Sequence, residues 1–152
     1  MKTIVCTLFY ILLTFWNASG QEPEYKDADY EAGQIWSYQS RPGEENSTLT
    51  ILAIENSKGK GVIISVFISG VSIKNPYVEG GVNTEIAHLA FSKEAISSSV
   101  VALKDKTDKL PPNSEEYTKW KHDFDAGKAI FFTVTVKEAI SELEAFTNPE
   151  RH

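Results

Sequence analysis

The chain has a single cysteine, Cys6, and it falls among the first 20 residues. Residues 21–152 therefore hold no disulfide partner, and an exported form must be held together by packing alone. Histidine is nearly as scarce. His88, His122 and His152 are not spaced as helix or strand ligands, so no structural zinc and no cofactor is expected. Lys58-Gly59-Lys60-Gly61 lacks the rest of a phosphate-binding loop and reads as a turn. Ser69-Gly70-Val71-Ser72 lacks the second glycine of a nucleophile elbow. Ser57 and Lys60 have the spacing of a serine–lysine motif, but Gly59 between them opposes the helix that such a motif needs.

Long apolar runs are missing as well. The longest polar-poor stretch, Ile4 to Trp16, is shorter than the roughly 20 residues that span a bilayer. Lys2 precedes it, and Asn17-Ala18-Ser19-Gly20 follows with small residues at the positions that a signal peptidase reads. The expectation is a secretory signal over residues 1–20, cleaved before Gln21, with no membrane span afterwards and a secreted or periplasmic location. Basic residues are in deficit too: 15 Lys and Arg stand against 21 Asp and Glu, a net charge of −6. Such a surface repels phosphate backbones, which excludes nucleic acid as a natural partner and favours a protein partner with a basic surface.

What is abundant is β-branched residues around Gly61 to Ile73. Val62, Ile64, Val66 and Ile68 alternate with Ile63, Ser65, Phe67 and Ser69, so a strand here is apolar on nearly both faces. Such a strand belongs inside a sheet that is covered on both sides. The other elements are read around it. Residues 21–33, acidic and aperiodic, read as a flexible lead-in that Gly33 ends; residues 34–152 read as a single domain. Gln34 to Ser40 and Ser47 to Glu55 alternate as strands, joined by Arg41-Pro42-Gly43-Glu44-Glu45-Asn46, so the chain begins with a three-stranded antiparallel meander. Leu49, Ile51 and Ala53 would share one face of the second strand. Glu85 to Phe91 reads as a fourth strand. Ser92 caps a helix whose stripe would be Ile96, Val100 and Leu103. Asn113 or Ser114 caps a second helix with the stripe Tyr117, Trp120 and Phe124. Ala129 to Val134 reads as a fifth strand, and Thr135 with Glu138 forms a capping box for a last helix with Val136, Ile140, Leu143 and Phe146 inward. The class is α+β: a mixed, mostly antiparallel five-stranded sheet with about three helices mainly on one face. The fifth strand would enter parallel to a neighbour through a right-handed crossover. The run Lys-Glu-Ala-Ile-Ser occurs at 93–97 and again at 137–141, each time opening a helix.

Few residues offer chemistry. His88, mid-strand, is a candidate general base, with Glu44 or Glu45 as its acid or orienting partner and Arg41 as an anion holder. Trp36 and Tyr38, on one face of the first strand, are candidates for ligand binding. Two functions follow. One is a small secreted or periplasmic binding or interaction module, inhibition of its partner being one form. The other is a small hydrolase built on His88 and the hairpin-tip carboxylate.

Overall fold

The structure, a computed structural model, describes residues 25–111 and 114–148. The expected signal over residues 1–20 lies outside the described residues. The elements are β1 (Gln34–Tyr38), β2 (Thr48–Ser57), β3 (Gly61–Lys74), β4 (Val82–Ser92), α1 (Lys93–Ser99), β5 (Val100–Lys106), α2 (Ser114–Asp125) and α3 (Val136–Thr147). The five strands form one sheet in the order β4-β3-β2-β1-β5, and every neighbouring pair is antiparallel. The fold is α+β, and it opens with the expected meander. Among the described residues no helix is long and apolar enough to cross a membrane.

β3 is interior, and Ile63 through Ile68 are all buried, as a strand covered on both faces requires. Ile64, Val66 and Ile68 join Leu49, Ile51, Phe91, Ile96 and Ile140 in the main core, under α1 and α3. Ile63 and Ala90 point the other way and are covered by Phe124 and Trp120 of α2. Two helices therefore back one face and one helix backs the other. The repeated Lys-Glu-Ala-Ile-Ser run has a plain structural use: Ala95 and Ile96 in α1, and Ala139 and Ile140 in α3, are all buried in the same core. Ser92 caps α1 by accepting from the Ala95 N–H, and Thr135 with Glu138 forms the capping box of α3.

Several expectations need correction. The first helix stops at Ser99, so Val100 and Leu103 do not extend its stripe; they lie in β5. Three serines in a row propagate a helix poorly, and the paired β-branched residues Val100 and Val101 favour extended backbone. β1 then supplies the neighbour, with Tyr38 opposite Val100 and Trp36 opposite Leu103. The fifth strand is thus 100–106 rather than 129–134. The latter segment makes only one parallel bridge, Phe91 to Phe132, sealed by Ser92 N–H to Phe132 O at 2.9 Å and Phe132 N–H to Ala90 O at 2.8 Å. The sheet is consequently antiparallel throughout instead of mixed. In β2 a register shift between Ile51 and Ala53 turns Ala53 to the opposite face from Leu49 and Ile51. Phe146, expected inward, is 87% exposed.

Residues 25–33 of the expected flexible lead-in are held rather than loose. Tyr30 is in the main core, and its hydroxyl lies 3.1 Å from Ser97 Oγ. Lys93 Nζ donates to both oxygens of Asp27 (3.0 and 2.9 Å) and to Asp29 (2.7 Å). Composition misled because an acidic stretch looks solvated until a lysine from α1 meets it. Gly33 ties this segment to both strands beside it: its N–H donates to Ile51 O, and its carbonyl accepts from Thr107 N–H at the end of β5. Its φ is +87°, and a Cβ there would lie 2.2 Å from the Thr107 carbonyl oxygen. Gly33→Ala is expected to cost about 1–2 kcal/mol from the dihedral alone and more from the collision. A lower urea midpoint, with amide exchange rising first over 100–107, is the check.

Candidate functional site

Three places collect the residues that could carry function. The first lies under α2. β3 pairs with β4 so that Ser65 faces Ala90, which sets His88 diagonally across from Ser65 on the same face. His88 Nε2 lies 3.0 Å from Ser65 Oγ. The rings of Trp120 and Tyr117 close over the imidazole at 5.2 and 5.8 Å between centroids. The Tyr117 hydroxyl donates to Glu55 Oε1 at 2.7 Å, and Lys121 Nζ lies 3.3 Å from Glu55 Oε2. Burial lowers the His88 pKa to about 4, against a smaller opposing pull from Glu116, so the ring is neutral at physiological pH. Burial first, and then Glu55, raise the Tyr117 phenol above its ordinary value. A hydroxyl beside a neutral imidazole has the makings of a nucleophile and base. Ser65, however, is 1% exposed, at the centre of the sheet and beneath a helix, where no substrate carbonyl reaches it.

The second place is the 41–46 turn. Arg41 Nε donates to Glu44 Oε2 (3.0 Å), and its Nη1 donates to Glu144 Oε2 of α3 (2.7 Å). Glu44 is 4% exposed; its Oε1 also accepts the Ser72 N–H at 2.7 Å. Glu144 Oε1 accepts the Lys74 N–H at 3.0 Å. Arg41 thus clasps the turn, the end of β3 and α3 together, beside an open depression of about 340 Å³. The hydrogen bond to Glu44 is the main reason that its guanidinium is held charged beyond its ordinary range. Glu45 is exposed and accepts the Gly43 N–H at 2.8 Å.

The structure therefore brings Arg41 and Glu44 together but gives His88 other partners. His88 sits beside Ser65 and Glu44 beside Ser72, seven residues further along the same strand, roughly 20 Å at about 3.3 Å per residue. Trp36 and Tyr38 both serve the core. Trp36 packs edge-on against Tyr30 with centroids 5.7 Å apart, and the buried Tyr38 hydroxyl lies 2.6 Å from Ser47 Oγ. Among the described residues no group of three or more His, Cys, Asp or Glu side chains converges as metal ligands would.

The third place was not singled out in the sequence: the outer edge of β5. Sheets end in two edges, and here they differ. β4 is met at its C-terminal end by the 129–134 segment through the Phe132 bridge. β5 is an end strand of the sheet, and after Val100 every one of its residues is exposed. Val101 is 66% exposed and Leu103 50%. Register shifts on either side of Trp36–Ser37 mark two irregularities in its pairing with β1. Lys104 and Lys106 add charge. Bulges and lysines are the usual guards against indiscriminate strand pairing. The only sequence signal for this edge was the Val100-Val101 pair, which the helical spacing of Ile96, Val100 and Leu103 masked.

No protein-family model, no curated protein and no solved structure matches this chain.

Proposed function

We propose that the protein is an exported binding module that engages a protein partner along the β5 edge. The observation that carries this reading is a complete edge strand exposed on both faces, with Val101 and Leu103 presented to water. An extended segment added there gains main-chain hydrogen bonds along the strand and contact with two apolar side chains. The bulges and lysines restrict which segment fits, which is how selectivity is built into an edge. The net charge of −6 draws a partner with a basic surface and speeds its encounter. The candidate reactive groups already have structural employment, His88 and Ser65 under α2 and Glu44 in the Arg41 clasp, which favours binding over hydrolysis. Export itself rests on the leader-like first 20 residues.

The experiment is capture from the native envelope at low and at moderate salt, with the wild-type chain and with Val101→Lys/Leu103→Lys. Both side chains are exposed, so the variant is expected to unfold within about 0.5 kcal/mol of wild type. Its capture of the wild-type partner is expected to vanish, and wild-type capture to weaken as salt screens the charge. Equal capture by both chains would refute the edge as the site.

A further inference from the structure

We propose that His88 is a proton-sensitive seat for α2: the neutral ring holds the helix on the sheet, and the charged ring releases it and uncovers Ser65 and the Tyr117–Trp120–Phe124 stripe.

α2 is held on the sheet mainly by one aromatic stripe. It is polar apart from that stripe, and its three rings stack along the helix at 6.4 and 4.7 Å between centroids. They lie on Ile63 and Ala90 of the sheet and around His88 and its partner Ser65. Among the described residues its other contacts include Tyr117 to Glu55, Lys121 to Glu55, Trp120 Nε1–H to Ile130 O at 2.9 Å, the Phe124 ring edge-on to Phe131 at 6.3 Å, and Lys60 Nζ 4.2 Å above the Phe124 ring. Pro111 and Pro112 precede the helix, and Gly127 follows it with φ +72°. One unfavourable charge beneath it therefore weighs heavily.

The groups that face His88 cannot absorb that charge. From β3 comes the Ser65 hydroxyl, which is neutral. From α2 come two aromatic rings, Tyr117 edge-on and Trp120 tilted, and Glu116, which is exposed and is not among the hydrogen-bond partners of the imidazole. From β2 comes Glu55, whose two oxygens are committed to Tyr117 and Lys121. Rings set edge-on and tilted offer a buried imidazolium less than the hydration it gives up.

The sign follows directly. With α2 seated, the His88 pKa is about 4, against 6.5 for a free histidine. The seated state binds fewer protons, so its advantage is complete above pH 6.5 and is lost as the pH falls toward 4. The seating equilibrium should drop on the order of a hundred-fold across that window. This is less than the full displacement would allow, because the ring keeps some contact with water.

The test is an NMR titration of the intact protein from pH 7.5 to 4. It follows the His88 ring protons and the indole N–H signals of Trp120 and Trp36. The expected result is that the Trp120 signal leaves its seated position in step with His88 protonation, while the Trp36 signal stays. In His88→Gln the step should disappear; that variant keeps Glu55 and Glu116, so a step that survives belongs to them and overturns the proposal. So does protonation of His88 with Trp120 unmoved. If His88→Gln already releases α2 at neutral pH, Tyr117→Phe decides. It keeps His88 and removes the tie to Glu55, so the midpoint should move to higher pH; an unchanged midpoint contradicts the proposal.

Discussion

Arg41→Ala is expected to lower the unfolding free energy by about 3–5 kcal/mol, the range for removing one partner of a buried ion pair. The side chain of Arg41 is 14% exposed and that of Glu44 only 3%, so water does little to replace the lost guanidinium. Glu44 would keep the Ser72 N–H but lose its counter-charge, and Glu144 would lose its partner from the turn. Three segments far apart in sequence are released at once: the 41–46 turn, the end of β3 and the C-terminal half of α3. Arg41→Lys should recover only part of the loss, because a single ammonium cannot match the planar fork that reaches both carboxylates. Urea denaturation of the two variants, read by far-UV circular dichroism, measures both numbers. A loss below about 1 kcal/mol for Arg41→Ala, the level of an exposed surface pair, would show that the clasp is not formed.

The second large effect is expected at Phe91. Its ring is fully buried where β3, β4 and the 129–134 segment meet. It lies 5.5 Å from the Phe132 ring and opposite Ile64 on β3. Phe91→Ala removes a core aromatic and leaves a cavity between strands too well paired to collapse, a loss of about 3–5 kcal/mol. Phe132→Ala should cost less, since Phe132 is only partly buried. The difference between the two, in the same denaturation experiment, reports how much of the β4 edge is sealed from within.

These two sites also show what the sequence makes legible. The strand Val62–Ile68 is readable because a β-branched run apolar on both faces has one home, the interior of a sheet. The caps at Ser92 and Thr135 are local chemistry complete within four residues. The stripe Tyr117-Trp120-Phe124 is a periodicity, and α2 turns it to the sheet, with Phe124 buried and Tyr117 and Trp120 half-buried. What fails to show is contact made over distance. Arg41 finds Glu144 across 103 residues, and nothing near either residue announces the other. His88 stands out as a residue type, but its partner Ser65 follows only from the β3–β4 register. The strand β5 was hidden because Ile96, Val100 and Leu103 fall at helical spacing by coincidence; an unpaired β1 edge outweighs that spacing. The Ala129–Val134 run has strand composition but stands at the rim, where a single bridge is all the pairing it makes.

Site-directed photocrosslinking in the native envelope tests the proposed binding edge at β5 most directly. A benzophenone side chain is placed at position 101 or 103, and as a control at Ile130, which is 78% exposed and belongs to the segment at the opposite, β4 edge of the sheet. The expected result is one discrete adduct from positions 101 and 103 and none from 130. No adduct from the strand, or the same adducts from all three positions, would contradict it.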